Sequence, residues 1–314
     1  MKTLVTGGAG QVGSQLIPYL CELGNEVVVF DLAAAPTTLP EGVRWVQGDI
    51  TDAQAVSSAV AGAGPEVIFH LAAILSAKGE QDPHRTYRVN LGGTHNILEA
   101  ARTNGVRQVM YASTIAVFGP GLPEPVQNEV SLRPTTMYGV TKVAGELLGE
   151  YYQSRRGLEF RGVRFPGLVN AGVPGGGTTD YALWMYVDAV RHGRYECFVE
   201  ASSRLPMMYL DDGLRAMVEL SQAPRERLKR CIYNIVAISP SAGDFADAVR
   251  KRVPGAEITF VPDPARQKIL DSWPHEVDDS AARSEWDWRH EYDLERMSDA
   301  IMERVPALIE QLGR

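Results

Sequence analysis

The sequence is poor in cysteine, in long apolar runs and in positive charge, and each shortage excludes a class of protein. Three cysteines, none in a Cys-x-x-Cys pair, supply neither a disulfide framework nor a zinc site, so we expect no metal. No run of about 18 apolar residues occurs that would span a membrane. With 31 basic and 39 acidic side chains, the formal charge of −8 repels phosphate backbones and anionic bilayers. We therefore expect no nucleic-acid or membrane partner.

The N-terminus and the cysteine content together predict a cytoplasmic protein. Residues 2–5 already form a strand-like run, without the apolar segment and cleavage site of an export signal. Unpaired cysteines are typical of a reducing compartment.

The first half of the chain alternates short β-branched runs with amphipathic stretches, which is typical of crossover units that build a parallel sheet. A glycine-rich segment at 172–177 ends this alternation, and mostly helical patterns follow. The sequence therefore predicts an α/β protein with a Rossmann-like doubly wound parallel sheet over 1–170. Residues 171–314 are predicted to form a small, mostly helical substrate-binding cap, with some segments returning to the sheet. The predicted strands span 2–6, 26–30, 44–47, 66–70, 107–112, 159–165, 231–236 and 257–261, and the predicted helices 11–23, 52–61, 84–104, 135–155, 180–192, 211–222, 241–252 and 293–312.

A glycine-rich turn follows the first strand directly and opens the first helix. Gly7 permits a tight turn, Gly10 lets the backbone approach a pyrophosphate, and Gly13 lets helix and strand pack closely. Asp31 ends the next strand, where a carboxylate accepts hydrogen bonds from an adenosine ribose and repels a 2′-phosphate. The pattern predicts NAD as cofactor in preference to NADP. Asp49, after the third strand, either accepts from the adenine amino group or caps a helix.

Tyr138 and Lys142 are four residues apart and share one face of a predicted helix. Tyrosine alone is too weak an acid to act at neutral pH, but a neighbouring ammonium and a positive nicotinamide stabilise its phenolate. Ser113 and Thr114 end the preceding strand, and their hydroxyls can hold a substrate oxygen. The arrangement predicts Tyr138 as the general base that oxidises an alcohol.

With these motifs the sequence resembles the extended short-chain dehydrogenase/reductase family over essentially its whole length. The resemblance is carried by residues 6–13, 70–73 and 117–119, by Asn90 and by the Tyr138/Lys142 pair. It implies that the tyrosine is the base, that the lysine bonds the nicotinamide ribose, and that a hydroxyl orients the alcohol. Thr114 matches this hydroxyl, with Ser113 as the alternative. Further NAD contacts are implied for Gln11, Val12, Ile50, Leu71, Ala72, Ala73, Asn90, Tyr138 and Pro166.

Three segments, 69–80, 177–182 and 205–209, are similar within this family to the short-chain L-threonine 3-dehydrogenases. The implied reaction is NAD-dependent oxidation of the threonine β-hydroxyl to 2-amino-3-oxobutyrate. In this interpretation Thr178 and Thr179 hold the substrate carboxylate, or else they cap the following helix. The substrate contacts implied are Ser76, Thr114, Tyr138, Thr178, Thr179, Asp180 and Trp273, where Asp180 or Ser76 helps hold the ammonium and Trp273 is alternatively a packed loop anchor.

Two other functions stay open. A nucleotide-sugar epimerase or dehydratase on the same scaffold would need contacts to a second diphosphate, for which Arg191, Arg194 and Arg204 are candidates. A non-catalytic NAD sensor would be expected to lack the tyrosine or the lysine. Family members commonly pair through the helices that match 84–104 and 135–155, so the resemblance also implies a homodimer.

Overall fold

A computed structural model describes residues 1–170, 172 and 177–312 of the chain. The strands are β1 (Lys2–Thr6), β2 (Glu26–Asp31), β3 (Arg44–Gln47), β4 (Val67–His70), β5 (Gln108–Thr114), β6 (Glu159–Phe165), β7 (Gly167–Val169), β8 (Arg194–Cys197), β9 (Met207–Tyr209), β10 (Ile232–Asn234) and β11 (Glu257–Phe260). The helices are α1 (Gln11–Glu22), α2 (Ala53–Ala63), α3 (Ser76–Gln81), α4 (Pro83–Thr86), α5 (Gly93–Thr103), α6 (Met137–Arg156), α7 (Tyr181–His192), α8 (Leu210–Gln222), α9 (Ala242–Arg252), α10 (Pro264–Leu270), α11 (Ser280–Trp286) and α12 (Leu294–Leu312).

Seven of the described strands form one parallel sheet in the order β10-β6-β5-β4-β1-β2-β3. The order reverses at β1, because β2 extends the sheet to one side of it and β4 to the other. Parallel strands bring their carboxyl ends to one edge, and at such a reversal the loops diverge and leave a crevice. The fold therefore predicts a ligand site beyond the carboxyl ends of β1 and β4.

Side chains alternate between two apolar layers that cover the faces of the sheet. In β2, Val27 and Val29 pack against α1 and α8, whereas Val28 and Phe30 pack against α2 and α5. Because a strand has a period of two, a run that is apolar on every residue is buried on both faces. This confirms the doubly wound fold.

The mostly helical cap has its own apolar cluster, in which α7, α9 and α12 pack around buried residues that include Tyr186, Phe245 and Ile301. Two short parallel pairs, β8 with β11 and β7 with β9, complete it. Strand β10 comes from the same half of the chain but pairs with β6 at the edge of the main sheet. The division at residue 170 stays a prediction.

The predicted elements of the first half lie within a few residues of those observed. The predicted helix 84–104 is continuous but changes pitch, since α4 and α5 are joined by the π-helical segment Tyr87–Gly92. Helices α3, α10 and α11 and strands β7, β8 and β9 were not predicted. None of the described helices has both the length and the apolarity to cross a membrane.

Candidate active site

The glycine turn after β1 leaves no room for side chains on two of its glycines. Gly7 has φ of +74°, and a Cβ there would lie 2.8 Å from the backbone of Ala72. A Cβ on Gly13 would lie 2.3 Å from the carbonyl oxygen of Gly7. The Gly10 amide donates to the same oxygen at 3.1 Å. The turn is thus a backbone cradle at the start of α1, suited to a pyrophosphate.

Two carboxylates predicted to bind the cofactor are already fixed in place. Asp31 accepts hydrogen bonds from the amides of Ala9 and Ala33, at 2.9 and 2.8 Å. Since a carboxylate has about four acceptor positions, capacity remains for a ribose diol. Asp49 accepts from the amide and hydroxyl of Thr51, both at 2.8 Å. Helix α2 is capped by Asp52 instead, so the interpretation of Asp49 as a helix cap is wrong.

A cavity of about 440 Å³ lies beside this turn. The predicted cofactor residues that line it are Gly7, Gly10, Asp31, Asp49, Ile50, Leu71, Ala72 and Ala73. Arg85 and Arg88 line the same cavity but were not predicted. Their spacing of three on a predicted helix was the available signal, because it places both guanidinium groups on one face.

A second cavity of about 220 Å³ shares Gly7, Gly10, Leu71 and Ala73 with the first, so the two form one cleft along the carboxyl edge of the sheet. The other predicted residues that line it are Gln11, Val12, Gly13, Ser76, Ser113, Thr114, Tyr138, Lys142, Pro166, Thr178, Thr179, Asp180 and Trp273. The structure therefore brings the predicted cofactor and substrate residues together.

Asn90 is the predicted site residue that lies behind the cleft wall. It is buried in the π-helical segment, where its side chain accepts from the Ile74 amide at 2.8 Å and donates to the Ile74 carbonyl at 3.0 Å. Ile74 lines the first cavity. The geometry favours support of the cleft wall over a direct cofactor contact.

Tyr138 lies in the first turn of α6, which is fixed from two sides. Thr136 caps the helix by accepting from the Gly139 amide, and Glu80 accepts from the Met137 amide at 2.7 Å. A Cβ on Gly139 would lie 2.3 Å from the Ala116 carbonyl oxygen, so only glycine lets α6 approach the end of β5 this closely. The approach brings the Tyr138 phenol into the second cavity, which the Thr114 side chain also lines.

The structure separates the roles of the two adjacent hydroxyls. Thr114 lines the cleft beside Tyr138, whereas the buried Ser113 hydroxyl donates to the carboxylate of Glu146. The geometry thus favours Thr114 as the group that orients a substrate alcohol. Sequence alone left this open, because Glu146 is distant in the chain.

Burial changes the acidity of both members of the tyrosine–lysine pair. It raises the pKa of Tyr138 to about 12, against a lowering effect of the Thr114 hydrogen bond. It lowers the pKa of Lys142 to about 7, while Glu146 acts in the opposite direction. The Lys142 ammonium donates to the Ala112 carbonyl at 2.6 Å and lies 5.8 Å from the centre of the Tyr138 ring. The chain alone leaves Tyr138 a phenol at neutral pH, so ionisation needs further positive charge in the cleft.

His70 ends β4 beside the cleft, but both of its ring nitrogens are engaged. Nδ1 lies 2.8 Å from the Thr6 hydroxyl and Nε2 lies 2.9 Å from the Thr94 hydroxyl. Burial, and secondarily the charge of Lys142, lower its pKa to about 3. The ring is neutral and structural.

The far end of the cleft contains an unsatisfied polar group. The Thr178 hydroxyl is buried and has no hydrogen-bond partner in the described part of the chain. No side-chain hydrogen bond caps α7, so the capping interpretation of Thr178 and Thr179 is wrong. Asp180 accepts from the Gly177 amide at 2.9 Å. A buried hydroxyl without a partner favours a ligand that supplies one.

The arginines proposed for a second diphosphate lie away from this cleft. Arg191, Arg194 and Arg204 line neither of its cavities. Arg204 instead donates to the Ser239 carbonyl and lies 3.6 Å from Asp244. The residues that the sequence offered for binding a second diphosphate are therefore not part of this cleft.

Comparison with known proteins agrees with this geometry. Residues 3–236 match the NAD-dependent epimerase/dehydratase family. The mitochondrial L-threonine 3-dehydrogenase of Bos taurus is 42% identical over 305 residues, which cover 96% of this chain and 82% of that protein.

Two solved structures share the fold over nearly the whole chain. A monomeric L-threonine 3-dehydrogenase from a metagenome is 37% identical with a TM-score of 0.93, covering 98% of this chain and 99% of that one. The UDP-glucose 4-epimerase of Thermus thermophilus, in complex with NAD, is 25% identical with a TM-score of 0.83, covering 98% and 99%.

Proposed function

The chain belongs to the NAD-dependent epimerase/dehydratase family, and we propose that it is an oxidoreductase that oxidises L-threonine to 2-amino-3-oxobutyrate with NAD. One observation carries the proposal: Tyr138, Thr114 and Thr178 line one cavity beside the glycine turn, and the buried Thr178 hydroxyl has no partner in the described chain. A secondary alcohol bearing a carboxylate a few ångströms away matches this arrangement.

The cofactor end of the cleft fits NAD. The side-chain-free turn at Gly7 and Gly13 admits a pyrophosphate, and Asp31 retains acceptor positions for the adenosine ribose. When bound, NAD supplies the hydride acceptor. The negative charge of Asp31 disfavours a 2′-phosphate, so NAD is preferred over NADP.

The reaction removes one proton and one hydride from the alcohol. Thr114 orients the threonine β-hydroxyl, and the Tyr138 oxygen takes its proton as the hydride leaves the β-carbon, so that the C–O bond becomes a carbonyl. Lys142 stabilises the phenolate that takes the proton and bonds the nicotinamide ribose. With the phenol pKa at about 12 in the chain alone, this positive charge has to come from Lys142 and the bound cofactor.

The amino-acid end of the substrate requires one site for an anion and one for a cation. Thr178 and Thr179 hold the carboxylate, while Asp180 or Ser76 helps hold the ammonium. We expect Asp180→Ala to raise the KM for threonine far more than the KM for NAD. Equal changes in the two constants would contradict this assignment.

NADH absorbance tests the function directly. The enzyme is mixed with NAD and L-threonine, L-allo-threonine, L-serine or a UDP-sugar, with Tyr138→Phe as the inactive control. Threonine-dependent NADH that is lost in the variant supports the proposal. No turnover with threonine, together with NAD binding by calorimetry, would overturn the substrate and favour the sugar-nucleotide or sensor alternatives.

We further propose a homodimer that pairs through the helices of segments 84–104 and 135–155, the second of which is α6. Val140, Leu147 and Tyr151 lie on one face of this helix and are 47%, 59% and 46% exposed. A large exposed apolar strip of this kind is typical of an interaction surface. The L-threonine 3-dehydrogenase from a metagenome is described as monomeric, so a monomer is the alternative to this proposal. A mass of one chain by light scattering would contradict the dimer.

We also propose a cytoplasmic location, on the ground that Cys21, Cys197 and Cys231 are free thiols. Fractionation of cells that express the tagged protein tests this location.

A further inference from the structure

A buried carboxylate lies behind the catalytic pair and takes no part in the chemistry described above. Glu146 is 3% exposed. Its oxygens accept from Arg164 twice, Nε to Oε1 at 3.0 Å and Nη2 to Oε2 at 2.8 Å. The Ser113 hydroxyl donates to the same carboxylate. A paired fork of this kind fixes both partners in orientation as well as in distance.

Each partner of this carboxylate is next to a residue of the cleft. Ser113 directly precedes Thr114, which lines the cleft beside Tyr138, and Arg164 lies two residues before Pro166. Lys142 is one helical turn before Glu146 on α6. One carboxylate therefore ties the helix that carries the catalytic pair to the ends of β5 and β6.

The network continues behind Arg164. Its Nη1 donates to the Asn128 carbonyl at 2.8 Å and to the Asn234 side chain at 3.1 Å. Asn128 and Asn234 are buried, and they bond each other as well. Each of the three guanidinium nitrogens of Arg164 thus donates a hydrogen bond, and two of these bonds, to Asn128 and Asn234, do not depend on Glu146.

The groups around Lys142 make its charge state depend on Glu146. On α6 the neighbours of Lys142 are Tyr138 and Glu146, and the Tyr111 ring on β5 lies 4.6 Å from its ammonium. From β4, Lys142 faces the neutral His70. The Arg164 guanidinium on β6 lies beyond Glu146. Glu146 supplies the negative charge in this set. Burial lowers the pKa of Lys142 to about 7, and Glu146 opposes that change. Arginine stays protonated in proteins, so loss of the carboxylate would leave Lys142 as the group that gives up its charge.

We propose that Glu146 is a positioning residue, which holds the Ser113–Thr114 strand end against Tyr138 and places a buried negative charge one helical turn from Lys142. The proposal rests on the proposed function, because it assumes that Tyr138 is the base that needs this ammonium.

The first test follows the lysine itself and needs no substrate. The chain has six lysines, so the side-chain nitrogen of Lys142 can be assigned by nuclear magnetic resonance against a Lys142→Met sample. We expect Glu146→Gln to lower the titration midpoint of Lys142 by about one pH unit or more. Glu150→Gln is the matched control, since it makes the same change one turn further along α6 at an exposed position. Equal midpoints in wild type and Glu146→Gln, or equal shifts in both variants, would overturn the proposal.

The second test uses the pH dependence of NADH formation from threonine. In Glu146→Gln a neutral Lys142 no longer stabilises the phenolate, so the rise of kcat/KM moves to higher pH. Glu146→Asp keeps the charge and restores the midpoint, with a lower kcat because it is too short to hold both partners. Ser113→Ala lowers kcat several-fold without moving the midpoint.

These variants keep the proposal testable if Glu146→Gln does not fold. A wild-type kcat in Ser113→Ala, or a shifted midpoint in Glu146→Asp, would contradict it. Inactivity of the wild type with threonine would contradict the proposed function instead, while the lysine titration would still decide the role of Glu146.

Discussion

The two ends of the cleft are built in opposite ways. At the cofactor end, Gly7, Gly13 and Asp31 form a shape held by backbone contacts and internal hydrogen bonds. At the substrate end, the Thr178 hydroxyl is buried without a partner in the described chain. The cofactor end is therefore formed before any ligand binds. The substrate end has a hydroxyl whose hydrogen bond a ligand would supply. Substitutions at the first should therefore affect folding and cofactor binding together, and those at the second should affect substrate binding alone.

Tyr138 lies where the two ends meet, and its loss should have the largest effect. We expect Tyr138→Phe to lower kcat by about 10³-fold or more, because general-base catalysis contributes about 10²–10⁴-fold and no other group in the cleft replaces the phenol. NAD binding, measured by calorimetry, should stay within about twofold. Tyr19→Phe, on α1 away from the cavities, is the control and should keep full activity. Weakened NAD binding in Tyr138→Phe would assign the phenol to the cofactor end.

Gly13→Ala tests the rigid end. Its Cβ would lie 2.3 Å from a backbone oxygen, so the start of α1 must shift away from β1. We expect a stability loss of about 1–3 kcal/mol or more and a rise of at least about tenfold in the Kd for NAD. Gly62→Ala in α2 has open space around its Cβ and should stabilise the protein by about 0.5–1 kcal/mol. A Gly13→Ala protein that melts normally and binds NAD tightly would refute the picture of a preformed cradle.

Thr178→Val tests the incomplete end. Valine keeps the shape but removes a hydroxyl that has no partner in the described protein, so stability should be unchanged or higher. The KM for threonine should rise about tenfold, the equivalent of about 1.4 kcal/mol, with the KM for NAD unchanged.

The matched control for that variant is Thr94→Val, whose hydroxyl bonds to His70 and to the Asn90 carbonyl. It should cost about 1–3 kcal/mol of stability, because it leaves buried groups unpaired. If Thr178→Val destabilised the protein as much as Thr94→Val, the Thr178 hydroxyl would have an internal partner.

The same contrast explains how much could be predicted from sequence. The doubly wound sheet and the glycine turn were predictable, because apolar periodicity and glycine spacing act within a few residues. Candidate residues at the substrate end were named only through family resemblance. The choice between Ser113 and Thr114 could not be made, since it is set by Glu146, which lies 33 residues away. Asn90 likewise bonds to the backbone of Ile74, which lies 16 residues away in the chain.

A site remote from both ends sets the baseline for these effects. Ser241 and Asp244 form a reciprocal cap at the start of α9, and the amide of Ser241 holds the pKa of Asp244 below its usual range. A carboxyl whose pKa is lowered by folding stabilises the protein above its unfolded pKa of about 3.9 and loses that effect as pH falls through its folded value. Asp244→Asn should therefore lower the Tm by about 2 °C at pH 7. The difference should shrink below about pH 3, with threonine turnover unchanged throughout. A pH-independent difference in Tm would mean that the amide–carboxylate bond contributes nothing specific to the ionised form.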